Sequence, residues 1–148
     1  MTDNRLENDS DGKVRILMVE DNPGDVLLVK EALNETDLRY ELSHVSDGEQ
    51  AVSFLQRRGE YKRTRTPDLV LLDLNLPKRT GWEVFDEMRS EDGLREVPVV
   101  ILSSSGAPED KRRAQHASRA IYIQKPTDFD EFLGIGKQIK DFVLRHRG

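Results

Sequence analysis

From Lys13 onward, short apolar runs alternate with stretches in which apolar residues recur every three or four positions. Val14–Val19, Tyr40–Val45, Leu69–Leu72, Pro98–Leu102 and Ala120–Ile123 are bounded by polar or turn-forming residues, and each reads as a strand. Helix patterns lie between them. Asn22-Pro23 supplies an N-cap and a first-turn proline, and Val26, Leu27, Val29 and Leu33 carry that helix to about Glu35. Asp47 caps a stretch with Ala51, Val52, Phe54 and Leu55 inward, and Thr80 caps one with Val84, Phe85 and Met88. A weak helix is expected from about Pro108 to Ala117, with only alanines on its apolar face. Thr127 opens the last helix, and Asp130 three residues on fits a capping box. Strands alternating with helices in this way predict an α/β fold, a five-stranded parallel sheet doubly wound by helices on both faces. Residues 1–12 lack periodicity and are rich in Asp, Asn, Ser and Gly, so a mobile tail is expected there and a single domain over 13–148.

Composition narrows the function classes. The chain has 148 residues, enough for one core, and its net charge of −5 argues against a general nucleic-acid binder. It has no cysteine, which excludes disulfides, thiolate metal sites and cysteine nucleophiles. No apolar run approaches membrane-spanning length and no hydrophobic signal segment opens the chain, so a cytoplasmic protein without membrane contact is expected. The last helix runs to the end of the sequence, and no DNA-binding output domain is expected.

The chemistry gathers at strand ends. Asp73 follows the apolar run Leu69–Leu72, Glu20 and Asp21 follow Val14–Val19, and Lys125 follows the fifth strand. Such positions lie where ligands bind in open α/β sheets. Glu20, Asp21 and Asp73 form an oxygen cage suited to Mg²⁺, to which Asn75 can add its backbone carbonyl. Lys125 can balance a phosphoryl oxygen as a point charge, and Ser103, closing the fourth strand, offers a hydroxyl to another. Asp21 to Asp73 and Asp73 to Lys125 are equal intervals of 52 residues. A carboxylate is a weak nucleophile, but phosphoryl transfer needs positioning and charge neutralisation more than covalent chemistry. The set suggests a Mg²⁺-assisted phosphoryl acceptor.

Together, Val19-Glu20-Asp21-Asn22-Pro23, Leu72-Asp73-Leu74-Asn75-Leu76-Pro77, Gly81, Ser103-Ser104-Ser105 and Tyr122-Ile123-Gln124-Lys125-Pro126 resemble the response-regulator receiver domain of two-component signalling, with its flavodoxin-like fold. The similarity covers about Val14 to Leu144. Within that family the chain looks most like the stand-alone receivers associated with phytochrome-type sensor kinases, through Glu20-Asp21-Asn22-Pro23-Gly24-Asp25, Asp73-Leu74-Asn75-Leu76-Pro77-Lys78 and the long segment Arg57–Thr66. The resemblance implies that Asp73 is the phosphoacceptor and Asp21 a direct Mg²⁺ ligand, with Glu20 acting largely through water. It implies that Lys125 is the phosphate partner, Pro126 its cis-peptide neighbour, Ser103 the switch hydroxyl and Tyr122 the switch aromatic. It implies a sensor histidine kinase as partner and admits a histidine phosphotransfer protein. The protein would then be a switch rather than an enzyme, with only self-catalysed phosphorylation and dephosphorylation. One departure is that Ser118-Arg119 stand where the family usually has Gly-Ala.

Two other readings share these residues. A Mg²⁺-dependent aspartyl-phosphate phosphatase would need a carboxylate two residues after its nucleophile, where Asn75 stands. A degenerate receiver acting only as a scaffold would not need the full set. Trp82 is expected to pack at the site rim, and Gly134 and Gly136 to weaken the last helix. His44, His116 and His146 show no ligand spacing. The basic residues Arg57, Arg58, Lys62, Arg63 and Arg65 read as a solvated loop, leaving nucleic acid an unexpected partner. The face of the fourth helix, fifth strand and last helix carries Lys111, Arg112 and Arg113 against Asp128, Asp130 and Glu131, a pattern suited to a homodimer.

Overall fold

Alternation along the central strands divides their side chains between two cores. A computed structural model describes residues 12–146, so the tail expected over 1–12 lies outside the described residues apart from Gly12. The order is β1 (Val14–Val19), α1 (Pro23–Asn34), β2 (Tyr40–Val45), α2 (Gly48–Leu55), a 3₁₀ turn (Gly59–Tyr61), β3 (Leu69–Leu72), α3 (Gly81–Arg89), β4 (Val99–Ser103), α4 (Pro108–His116), β5 (Ala120–Gln124), α5 (Phe129–Leu133) and α6 (Ile135–His146). The sheet runs β2-β1-β3-β4-β5, and every neighbouring pair is parallel. Leu17, Val19, Val70, Leu72, Val99 and Ile101 meet residues of α2, α3 and α4 on one face. Ile16, Met18, Leu69, Leu71, Val100 and Leu102 meet residues of α1, α5 and α6 on the other. A period of two with both faces covered explains why these strands read as unbroken apolar runs.

The expected caps at Asn22, Asp47 and Thr80 are present, the last as a full capping box with Glu83. The last helix differs. Asp128, not Thr127, accepts from the Glu131 N–H at 3.0 Å. Six residues after Asp128, Gly134 ends α5, and α6 begins at once. Two capping residues in succession leave the register open to one-residue error, and in the register that Asp128 caps Phe132 is buried.

Gly136 is a packing residue rather than a weak point. A Cβ there would lie 2.1 Å from the Ala32 carbonyl oxygen, so the α1 and α6 backbones approach only because none is present. Gly136→Ala is therefore expected to cost about 1–3 kcal/mol through overpacking, despite alanine's better helix propensity. A thermal melt checks this, and an unchanged Tm would contradict the contact.

The fourth helix buries only Ala114, in line with the weak helix expected there. Polar ties from α3 hold it. The Trp82 indole N–H donates to Asp110 at 2.9 Å, Arg113 donates twice to Asp86 at 2.7 and 2.8 Å, and the Arg113 guanidinium lies 4.3 Å over the Trp82 ring. Beyond α4, Arg119 takes a left-handed φ of +58°. Hydrogen bonds offset that strain. Arg119 donates to the carbonyls of Glu96 and His146, both at 2.6 Å, and Arg89 donates to those of Ser118 and Val97. The missing Gly-Ala turn is thus replaced by two arginines bonded to backbone oxygens.

Candidate functional site

Strand order reverses between β1 and β3, and the crevice beyond their carboxyl ends holds the acids. Backbone bonds extend the sheet into it. Glu20 N–H donates to Val45, Asp73 N–H to Val19 and Lys125 N–H to Ser103. One carboxylate oxygen from each of Glu20, Asp21 and Asp73 lies within 4.8 Å of the others. Glu20 and Asp73 are buried, whereas Asp21 is exposed at the mouth. Gly81 lets α3 begin against this loop, since a Cβ would lie 2.3 Å from the Asp73 carbonyl oxygen. His44 Nε2 donates to the Glu20 carbonyl at 2.7 Å and braces the acid pair from β2.

The Lys125 ammonium is buried among three carboxylates. Its Nζ lies 2.7 Å from Glu20 Oε1, 2.8 Å from Asp25 Oδ2 and 3.3 Å from Asp73 Oδ2. Burial disfavours its charge, but hydrogen bonds to Asp25 and Glu20 and the charges of Asp73 and Glu20 outweigh this and raise its pKa. Burial raises the Glu20 pKa, the Lys125 hydrogen bond pulls it down and the Asp73 charge raises it again, which leaves the carboxyl pushed up to about 7. The pocket thus holds more negative charge than one lysine balances. Three carboxylates with no thiolate or imidazole form a hard oxygen donor set, which fits Mg²⁺. Asn75 adjoins it, with its N–H donating to Asp73 Oδ1 at 3.1 Å.

Ser103 is fully buried at the end of β4, and its Oγ accepts from the Ser105 N–H at 3.2 Å. Tyr122, half-buried on β5, donates its hydroxyl to the Ser105 carbonyl. The two residues expected to act together therefore meet at one residue of the β4–α4 loop. The Lys125–Pro126 peptide, expected cis, is trans, and no cis peptide bond occurs among the described residues. The two forms of an X–Pro bond differ by only about 0.5–1 kcal/mol, so the surrounding loop decides. Sequence reasoning took Asp25 only as the end of the Glu20–Asp25 motif and missed its bond to Lys125. It also assigned Arg113 to the dimer face, whereas Asp86 and Trp82 draw that side chain toward α3.

Comparison with known proteins agrees with this geometry. Residues 16–135 match the response regulator receiver domain model. Response regulator Rcp1 of Synechocystis sp. is 34% identical over 139 residues, spanning 94% of this chain and 95% of its own. The crystal structure of the phosphorylated cyanobacterial phytochrome response regulator RcpA has a TM-score of 0.81 and 39% identity, covering 89% of this chain and 94% of that one. The Mn²⁺-bound form of Rcp1 has a TM-score of 0.79 and 36% identity, covering 87% and 93%. The doubly wound sheet, the acid crevice between β1 and β3 and this likeness over nearly the whole chain agree: it belongs to the response regulator receiver family and is similar to stand-alone phytochrome-associated members.

Proposed function

We propose that residues 13–148 form a stand-alone receiver that takes a phosphoryl group onto Asp73 from a sensor histidine kinase in the cytoplasm. One observation carries this. Asp73 Oδ2 lies 3.3 Å from a buried ammonium and shares a cluster of metal-binding oxygens with Glu20 and Asp21. Asp21, Asp73 and the Asn75 carbonyl would hold Mg²⁺ directly and Glu20 largely through water, and bound Mg²⁺ would neutralise phosphoryl oxygens. An Asp73 carboxylate oxygen attacks phosphorus as the phosphorus–nitrogen bond to the kinase's phosphohistidine breaks and the imidazole leaves, and Lys125 balances one oxygen of the transferred group. The Ser103 hydroxyl turns from Ser105 toward the phosphoryl group, and Tyr122 follows inward. The residue two beyond Asp73 is an amide, which supplies no acid or base for a phosphatase. The protein acts as a switch, not as an enzyme turning over an external substrate. The likeness to RcpA, a phytochrome response regulator by name, supports a phytochrome-type kinase as donor. A histidine phosphotransfer protein fits the same site as acceptor. The test is incubation with Mg²⁺ and a small phosphodonor. One acid-stable, base-labile phosphoryl group per chain is expected, and sustained turnover would instead support an enzyme.

Output would leave through α4, β5 and the α5 end of the last helical pair. Ala114, Ile121, Tyr122 and Gln124 line a groove of about 480 Å³ there. Lys111 and Arg112 are exposed on one side of this face, and Asp128, Asp130 and Glu131 on the other. This supports a two-fold homodimer strengthened by phosphorylation. Sedimentation with and without a phosphoryl mimic is expected to show the shift, and charge reversal at Lys111 and Arg112 to weaken it. A monomer in both states at high micromolar concentration would remove this surface.

A further inference from the structure

The geometry points to Asp25 as a positioning residue that anchors Lys125 during phosphoryl transfer. The assignment rests on the phosphoacceptor reading of Asp73. Lys125 Nζ has three N–H donors and meets three carboxylates. Two of those partners, Glu20 and Asp73, belong to the cluster whose oxygens could hold a metal. Asp25 does not. Once a divalent cation draws on Asp73 directly and on Glu20 through water, and Asp73 takes the phosphoryl group, Asp25 is the one carboxylate partner of the ammonium outside that cluster.

Its placement suits that task. Asp25 is the third residue of α1, and its backbone N–H is capped by Asn22 Oδ1 at 3.3 Å. Its side chain does not bond back to the helix start. It crosses to Lys125, 100 residues away, at 2.8 Å. The lysine stem is long and flexible, so an ammonium without a fixed partner would spread over several rotamers. A carboxylate fixed on a helix terminus restricts it to one side of the crevice, leaving another N–H directed at Asp73 Oδ2. Asp25 touches no reacting atom and acts only through Lys125.

The test follows phosphoryl gain by intact mass, at saturating Mg²⁺ and varied phosphodonor, in the full chain. Asp25→Asn keeps an acceptor oxygen at the same reach without the charge. Asp25→Ala removes both, and Asp25→Gln moves the acceptor outward by one methylene while preserving helix propensity. Maximal rates are expected to fall about tenfold in Asp25→Ala and Asp25→Gln, with the donor half-saturation unchanged, and to stay within about threefold of wild type in Asp25→Asn. Equal losses in all three would trace the effect to charge or to helix α1, and wild-type rates in all three would show that Lys125 needs no anchor. Either result overturns the assignment. Should alanine fail to fold, the contrast between asparagine and glutamine decides. Wild-type protein that gains no phosphoryl group removes the phosphoacceptor reading, and Asp25's role with it. Normal wild-type gain with indifferent variants removes the role of Asp25 alone.

Discussion

Asp73→Asn is expected to abolish phosphoryl gain completely while leaving the fold intact. Asparagine has nearly the same volume, so the buried position beneath Gly81 is refilled without a cavity. It lacks the anionic oxygen that attacks phosphorus. The substitution also removes the Asp73 charge that raises the Glu20 pKa, so crowding in the pocket eases and stability is not expected to fall. Intact-mass measurement after phosphodonor treatment decides the point. An asparagine variant that still gains one phosphoryl mass would move the acceptor elsewhere, with Asp21 the first alternative to examine.

Lys125→Ala is expected to act oppositely on stability and on metal binding. Removing a buried ammonium leaves Glu20, Asp25 and Asp73 without their shared counter-charge. Loss of one partner from a buried ion pair costs about 3–5 kcal/mol. The low end, about 3 kcal/mol, is expected here, because burial and the Asp73 charge already raise the Glu20 pKa and Lys125 is what lowers it, so without Lys125 the Glu20 carboxyl can shed its charge by taking up a proton. Mg²⁺ then replaces the missing charge without competition from the ammonium. The Tm of the variant should therefore start lower and rise further on Mg²⁺ addition than that of the wild type. Switching should fail even if the phosphoryl group is acquired, since nothing balances its oxygen from the β5 side. Identical Mg²⁺-induced Tm shifts in the two proteins would mean that Lys125 does not share the carboxylates with the metal.

Much of this was readable along the chain, for identifiable physical reasons. A strand buried on both faces has to be apolar throughout, so Leu69–Leu72 announced itself, and an acid immediately after such a run lies where the strand leaves the core, at the carboxyl end of the sheet. Asp73, Glu20 and Asp21 were legible for that reason, and Lys125 because it follows the short apolar run of the edge strand β5. Asp25 was not. A first-turn acid is ordinary helix chemistry, and nothing local reveals a partner 100 residues away. The tie from Trp82 to Asp110 was hidden similarly, because an indole's packing face can be anticipated but its N–H partner cannot. The division of the last helix at Gly134 and the choice of Asp128 over Thr127 depended on how α5 meets the core, which periodicity does not resolve.

The docking of α4 has a thermodynamic consequence. Because Ala114 is its one buried side chain, releasing this helix would expose far less apolar surface than unfolding the sheet core and change the heat capacity less. Its free energy should therefore follow a flatter profile with temperature than that of the sheet core. The Arg113–Asp86 pair is partly exposed, so dissolved ions weaken it while scarcely affecting the core. The two parts of the molecule answer to different variables, the core to heat and the helix to ionic strength. The salt content of the surrounding solution would then set how readily this helix leaves its resting place.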